Sequence, residues 1–179
     1  MEYKAKIMDE KGVQRSMARI THEIIEKNHG VDGVCLIGIK RRGIPLAVAL
    51  GENIRKFEGV SVPVGQIDIT LYRDDLSEIG DIPETGGSDI PFDINDKKVV
   101  IVDDVIYTGR TARAAIEAVF SCGRPKSIQL AVLIDRGHRE LPIRPDFVGK
   151  NIPTSKNEVI SVKTQDIDGE TGVYLCDRL

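Results

Sequence analysis

Two uninterrupted apolar runs, Val34-Cys35-Leu36-Ile37 and Val99-Val100-Ile101-Val102, constrain the fold more than any other feature of this chain. A third, Ile128 to Ile134, is broken only by Gln129. A strand with one wet face alternates apolar and polar residues, so a continuous apolar run is read as a strand covered on both faces. Between these runs lie helical stretches. One spans Ile44 to Phe57, with Pro45 in its first turn, where a missing N–H costs nothing. Another spans about Thr111 to Phe120 and stops at Gly123-Arg124-Pro125. Strand–helix alternation of this kind predicts an α/β fold built on a parallel sheet with crossover helices.

The flanks are weaker in pattern. Val13, Met17, Ile20 and Ile24 recur at helical steps and predict an amphipathic helix from 13 to about 28, ended by Asn28-His29-Gly30. Val62, Val64, Ile67 and Ile69 predict a strand, with Pro63 pointing to an edge or a bulge. From about Leu71 to Lys98 the chain is rich in Asp, Gly, Pro and Ser. A structureless connection of that length is unusual unless it is a hairpin or a mobile lid. Short strand-like pieces follow at 146–148, 158–162 and 173–175. No internal repeat is present, and the length suits one compact domain over 1–179.

Composition excludes several classes. Twenty-five Lys and Arg against 28 Asp and Glu give a net charge of -3, which argues against a wholly basic nucleic-acid binder. Three widely spaced cysteines, Cys35, Cys122 and Cys176, suit neither a disulfide framework nor a structural zinc site. No apolar run approaches a membrane span, and the charged N-terminus lacks the apolar core of a signal peptide. A cytoplasmic protein is expected.

The chemistry concentrates where apolar runs end, because open parallel sheets bind ligands beyond the carboxyl ends of their strands. Polar clusters at Gly38–Gly43, Asp103–Thr111 and Asp135–Arg139 follow three such runs. The middle one continues Val99–Val102 into Asp103-Asp104-Val105-Ile106-Tyr107-Thr108-Gly109-Arg110-Thr111. The turn Thr108–Thr111 can aim backbone N–H groups and two hydroxyls at a phosphate, and the helix N-terminus favours the same charge. Adjacent carboxylates suit the vicinal hydroxyls of a ribose and place negative charge near a carbon that becomes cationic.

This thirteen-residue stretch resembles the phosphoribosyl-pyrophosphate (PRPP) signature of type I phosphoribosyltransferases. Together with DITLYRDDL (68–76) and LAVLIDRGHRELPIRPDFVGKNIPTS (130–155), it is similar to the PyrR family of pyrimidine operon attenuation proteins with uracil phosphoribosyltransferase activity. The resemblance implies the type I phosphoribosyltransferase fold, with a flexible lid at about 71–98 and a small hood at about 136–179 with N-terminal contributions. It also implies transfer of the ribosyl 5-phosphate of PRPP to N1 of uracil, giving UMP and pyrophosphate. By resemblance Asp103 and Asp104 would hold the ribose, Val105 and Ile106 would belong to the PRPP-binding stretch, and Tyr107, Thr108, Gly109, Arg110 and Thr111 would cradle the 5-phosphate. Lys40, Arg41 and Arg42 would serve the leaving pyrophosphate, and Arg73 would act from the lid. Many relatives carry Thr where Arg41 stands. Mg2+ would bridge pyrophosphate and ribose oxygens through the ligand and water rather than a protein cage. Relatives acting on 6-oxopurines place a carboxylate where Tyr107 stands, and a phenol does not replace it. Arg136, Val159 and Ile160 are the candidates for the base pocket.

The same resemblance implies an RNA partner, the pyr mRNA leader hairpin, with UMP or UTP as effector and a homodimer or higher homo-oligomer as assembly. Residues 136–156 carry Arg136, Arg139, Arg144, Lys150 and Lys156 against Glu140 and Asp146, with His138 in addition. Arg15, Arg19 and His22 share one face of the first helix at steps of four and three. Arg15, Arg19, His22, Arg139, Arg144 and Lys150 are thus the RNA candidates, with Ala18 where several relatives carry Thr. Two alternatives stay open: an RNA-binding nucleotide sensor without transfer, and a uracil phosphoribosyltransferase without an RNA role.

Overall fold

The computed structural model describes residues 1–74 and 88–178. Five parallel strands form the central sheet in the order β3 (Val64–Ile67), β2 (Val34–Ile39), β4 (Lys98–Ile106), β5 (Ser127–Asp135), β6 (Phe147–Asn151). Helices α1 (Glu10–Lys27) and α2 (Gly43–Glu58) cover one face and α3 (Arg110–Cys122) the other. The apolar runs explain themselves here. Val34, Leu36, Val100 and Val102 pack with α1 and α2, while Cys35, Ile37, Val99 and Ile101 pack with α3. Each strand therefore feeds two cores by its period of two.

A smaller antiparallel sheet of β1 (Glu2–Met8), β8 (Gly172–Asp177) and β7 (Glu158–Lys163) forms a hood. A four-residue helix, α4 (Gln165–Asp168), joins β7 to β8. The hood is narrower than 136–179. Its C-terminal part begins at β7, because β6 joins the central sheet as a parallel edge strand. Met8, Ile160, Val162 and Val173 belong to the same core as α1 and α2, so hood and sheet share one apolar interior.

Local signals place these elements. Asp9 caps α1 by accepting from the Gly12 N–H at 2.8 Å, and Val13, Met17, Ile20 and Ile24 face inward. The buried Asn28 at its other end exchanges two 2.9 Å hydrogen bonds with Gln129, which satisfies the one polar residue inside the third apolar run. Pro63 lies just before β3, which is an edge strand. Asp89 pairs with Gln66 on its outer side.

Two further differences matter for function. The expected strand at 99–102 does not stop before the acids. It pairs with β5 as far as Ile106 opposite Asp135, so Asp103 and Asp104 sit on the strand itself. The lid expected at about 71–98 begins with a single 3-10 turn, Thr70–Tyr72. Residues 75–87 lie outside the described residues. Among the described residues, no helix is long and apolar enough to cross a membrane.

Candidate active site

The carboxyl ends of β2, β4 and β5 lie side by side at one edge of the parallel sheet. At the end of β4 both acids are half-buried. Asp103 accepts the Asp104 N–H at 2.9 Å through Oδ1, and Asp104 accepts the Val105 N–H at 2.8 Å. Burial pushes the Asp103 carboxyl well above its usual range, and the neighbouring Asp104 pushes it further. Burial also raises Asp104. Hydrogen bonds from Asp103 and Val105 and the positive charge of Arg42 hold that rise back. A pair of this kind ionises reluctantly until a ligand supplies positive charge or hydroxyl donors.

After the acids the chain turns. Gly109 has φ 95°, a left-handed conformation that suits glycine, and it precedes the first turn of α3. The Arg110 N–H reaches Thr108 Oγ1 at 3.3 Å. Arg73, Asp103 and the stretch Val105–Ala112 line a cavity of about 380 Å³, so Arg73 and the turn Tyr107–Thr111 face one space. The Arg110 guanidinium is held by Asp74 at 2.7 Å and Glu140 at 2.9 Å. Its charge is therefore balanced at the site rather than standing free. Tyr72 donates its hydroxyl to Ser121 at 2.8 Å, fastening the 3-10 turn to α3.

The turn from β2 into α2 carries Lys40, Arg41 and Arg42. Its Lys40–Arg41 peptide bond is cis. The Lys40 N–H bonds the Ile67 carbonyl at 2.9 Å and its ammonium lies 3.8 Å from Asp68. Arg41 is exposed. Arg42 makes two hydrogen bonds to Asp168 of α4, at 2.7 and 3.2 Å. The sequence offered no sign of Asp168, since no motif surrounds it and it lies 126 residues from its partner.

The base-pocket candidates divide. Arg136 is only 6% exposed. Its guanidinium stacks 3.9 Å above the Tyr107 ring and donates to Thr154 Oγ1 at 3.0 Å and to the carbonyls of Ser155 and Glu158 at 3.3 and 2.7 Å. It thus ties the phosphate turn to the entry of β7. Val159 and Ile160 do not act as a pair. Neighbours on a strand point to opposite faces, and Ile160 belongs to the core while Val159 is half-buried on the other side.

The RNA candidates divide as well. Arg15, Arg19 and Lys150 line one open concavity of about 650 Å³ between α1 and β6. Arg19 is anchored there on the carbonyls of Val148 and Gly149. His22 instead stacks on Phe57 of α2, with centroids 4.3 Å apart. Arg144 is exposed and lines a neighbouring concavity. Arg139 turns inward, bonding Asp135 at 2.6 Å and the carbonyls of Tyr107 and Ile143 at 2.8 and 2.9 Å. That geometry makes Arg139 a brace of the active-site loop and removes it from the outer basic surface.

The donor set fits a hard divalent cation: two adjacent carboxylates on β4 offer oxygen ligands close to the turn Tyr107–Thr111.

The family model of the phosphoribosyl transferase domain matches residues 5–167. The chain is 63% identical over 174 residues to the bifunctional protein PyrR of Acetivibrio thermocellus, covering 97% of this chain and 95% of that one. It is 57% identical over 178 residues to the bifunctional protein PyrR of Thermus aquaticus, covering 99% and 98%. A solved structure of hypoxanthine phosphoribosyltransferase from Trypanosoma cruzi superposes with a TM-score of 0.76 at 22% identity, covering 97% and 95% of the two chains, a likeness of fold.

Proposed function

The chain belongs to the PyrR family within the phosphoribosyl transferases, and from that premise we propose that it transfers the ribosyl 5-phosphate of PRPP to uracil and that it also binds RNA. One observation carries the transferase reading. The Asp103–Asp104 pair sits at the end of β4, directly before a phosphate turn that shares its cavity with Arg73.

In the reaction a bond forms between uracil N1 and ribose C1 as the bond from C1 to the pyrophosphate oxygen breaks, and the N1 proton is released. Positive charge develops on the ribose, so catalysis rests on positioning and electrostatics. The turn Tyr107–Thr111 fixes the 5-phosphate through backbone N–H groups and hydroxyls. The acid pair orients the ribose hydroxyls and stabilises the cationic carbon. Arg42 and Lys40 meet the departing pyrophosphate. Arg73, at the foot of the lid, adds positive charge where PRPP enters, and closure there would exclude water. Magnesium, when bound with PRPP, would draw negative charge from the leaving group, with Asp103 and Asp104 as its protein-side oxygens. Tyr107 under Arg136 presents no carboxylate to a purine ring nitrogen, which favours the pyrimidine.

The test is an assay for UMP with uracil, PRPP and magnesium. Turnover with uracil and none with hypoxanthine is expected. No turnover with any base, together with retained UMP binding, would leave a nucleotide sensor.

The RNA reading is favoured by the convergence of Arg15, Arg19 and Lys150 on one concavity. Phosphate contacts of this kind are salt-dependent. Among the described residues the Arg15 guanidinium makes no ion pair, so removing it disturbs little else. Arg15→Ala is expected to weaken binding to a pyr leader hairpin about tenfold and to lower the salt slope by about 1, leaving transfer unchanged. Equal affinity and slope across a salt titration would remove this helix face from the RNA site. UMP tightening the wild-type complex would show the coupling between the two sites.

A further inference from the structure

Arg42 and Asp168 reach each other from different parts of the fold, one at the end of β2 and one from the hood. Arg42 Nη2 and Nε donate to the two oxygens of the Asp168 carboxylate at 2.7 and 3.2 Å, a bidentate fork. The carboxylate is itself fixed, because the Thr164 N–H donates to Asp168 Oδ2 at 2.9 Å and the Asp168 N–H closes the turn onto the Thr164 carbonyl at 2.8 Å. Thr164, 6% exposed, keeps its hydroxyl without a hydrogen-bond partner among the described residues, so this corner holds a polar atom awaiting one.

We propose that Asp168 is a positioning residue for the pyrophosphate end of the cleft, holding the Arg42 fork in the orientation that receives the diphosphate of PRPP. The proposal rests on the transferase reading above. A guanidinium has five N–H donors, and Asp168 engages only the Nε side, leaving Nη1 for an anion. An unpaired arginine at the mouth of a cleft would sample many rotamers, and ordering it in advance removes that cost from binding. Asp168 also brings a negative charge near an anion site. Bound to Arg42 it forms a nearly neutral unit, so the fork orders Arg42 without adding a free negative charge at the anion site. The same contact ties the hood to the pyrophosphate turn, which explains why a four-residue helix with no buried residue of its own keeps its place.

The experiment is a calorimetric titration of the full chain with magnesium–PRPP, paired with steady-state kinetics. Asp168→Asn, nearly isosteric, is expected to weaken PRPP binding about tenfold and to raise KM for PRPP alike, with kcat and KM for uracil within twofold. Asp168→Glu should recover part of that loss. In a double-mutant cycle the Arg42→Ala, Asp168→Asn protein should bind no worse than Arg42→Ala alone. Unchanged or tighter PRPP binding by Asp168→Asn, or losses that add independently, would overturn the proposal. If Asp168→Asn does not fold, Asp168→Glu decides, since it keeps the charge and moves the carboxylate out of the fork: PRPP binding weaker than wild type then supports the proposal, and unchanged binding overturns it. A wild-type chain that fails to bind magnesium–PRPP sinks the transferase reading and this inference together, whereas a binding wild type with an unaffected variant sinks only the inference.

Discussion

Asp104→Asn is expected to lower kcat/KM for transfer about 100- to 1,000-fold while raising the thermal stability of the free protein at neutral pH. The loss follows from removing one of two charges placed against a carbon that becomes cationic, and from weakening the grip on the ribose. The gain follows from the environment of the pair. Burial raises both carboxyls above the ordinary carboxylate range, and Asp104 adds to the rise at Asp103. A carboxyl whose folded pKa is raised favours its neutral form in the fold. Relative to the unfolded chain, its contribution is fully present below the unfolded value and is lost as pH rises through the folded one. At neutral pH the ionised pair therefore works against the fold, and the amide relieves it while still accepting the Val105 N–H. The melting-temperature advantage of Asp104→Asn should shrink as pH falls to the ordinary carboxylate range, about 4, where the wild-type pair is protonated.

The same shift predicts the acid limb of activity. The pH profile of kcat/KM reports the free enzyme, so its fall on the acid side is expected above the ordinary carboxylate range. In Asp104→Asn the residual activity should fall at lower pH, because Asp103 has lost its negative neighbour, though burial keeps it above the ordinary value. Equal kcat/KM for the variant and wild type would remove the acid pair from the reaction. A stability gain that persists unchanged at pH 4 would show that charge is not its cause.

How much of this was legible depends on how far apart the interacting residues lie. The central sheet could be read because each buried strand writes its two-faced burial into consecutive residues, as at Val99–Val102. The site could be read in part because the acids and the phosphate turn lie within nine positions of one another. Strand β1 could not. Its sequence, Glu-Tyr-Lys-Ala-Lys-Ile-Met, has only a faint alternation, and it becomes a strand by pairing with β8 from the far end of the chain. The apolar run ends before the acids because two adjacent carboxylates disfavour a strand locally, yet pairing with β5 carries the strand through them. The contrast between Val159 and Ile160 follows from the period of two alone, and was available in the sequence. The contacts of Arg42 with Asp168, and of Arg136 with Glu158, follow only from the packing of the hood on the sheet.

Gly43→Ala is expected to cost about 3 kcal/mol of stability and to reduce transfer as well. A Cβ at this position would lie 2.4 Å from the Val102 carbonyl oxygen and 3.4 Å from Asp103 Cα, both backbone atoms of β4. No side chain can rotate away, so either α2 lifts off the sheet or β4 shifts at the residue before the acids. The first outcome loosens the packing of Leu46, Ala47 and Leu50. The second displaces Asp103 itself, and a misplacement of about 1 Å at a reacting group is enough for a rate loss of about 100-fold. For a chain of this length, about 3 kcal/mol corresponds to a fall in melting temperature of roughly 6–12 °C. Thermal unfolding and kcat/KM measured well below the variant's melting point separate the two effects. A melting temperature within 2 °C of wild type would mean that the turn from β2 into α2 has room the geometry does not show. A stability loss with full activity would mean that α2 yields and β4 holds, so that the strand carrying the acids is the stiffer partner in this contact.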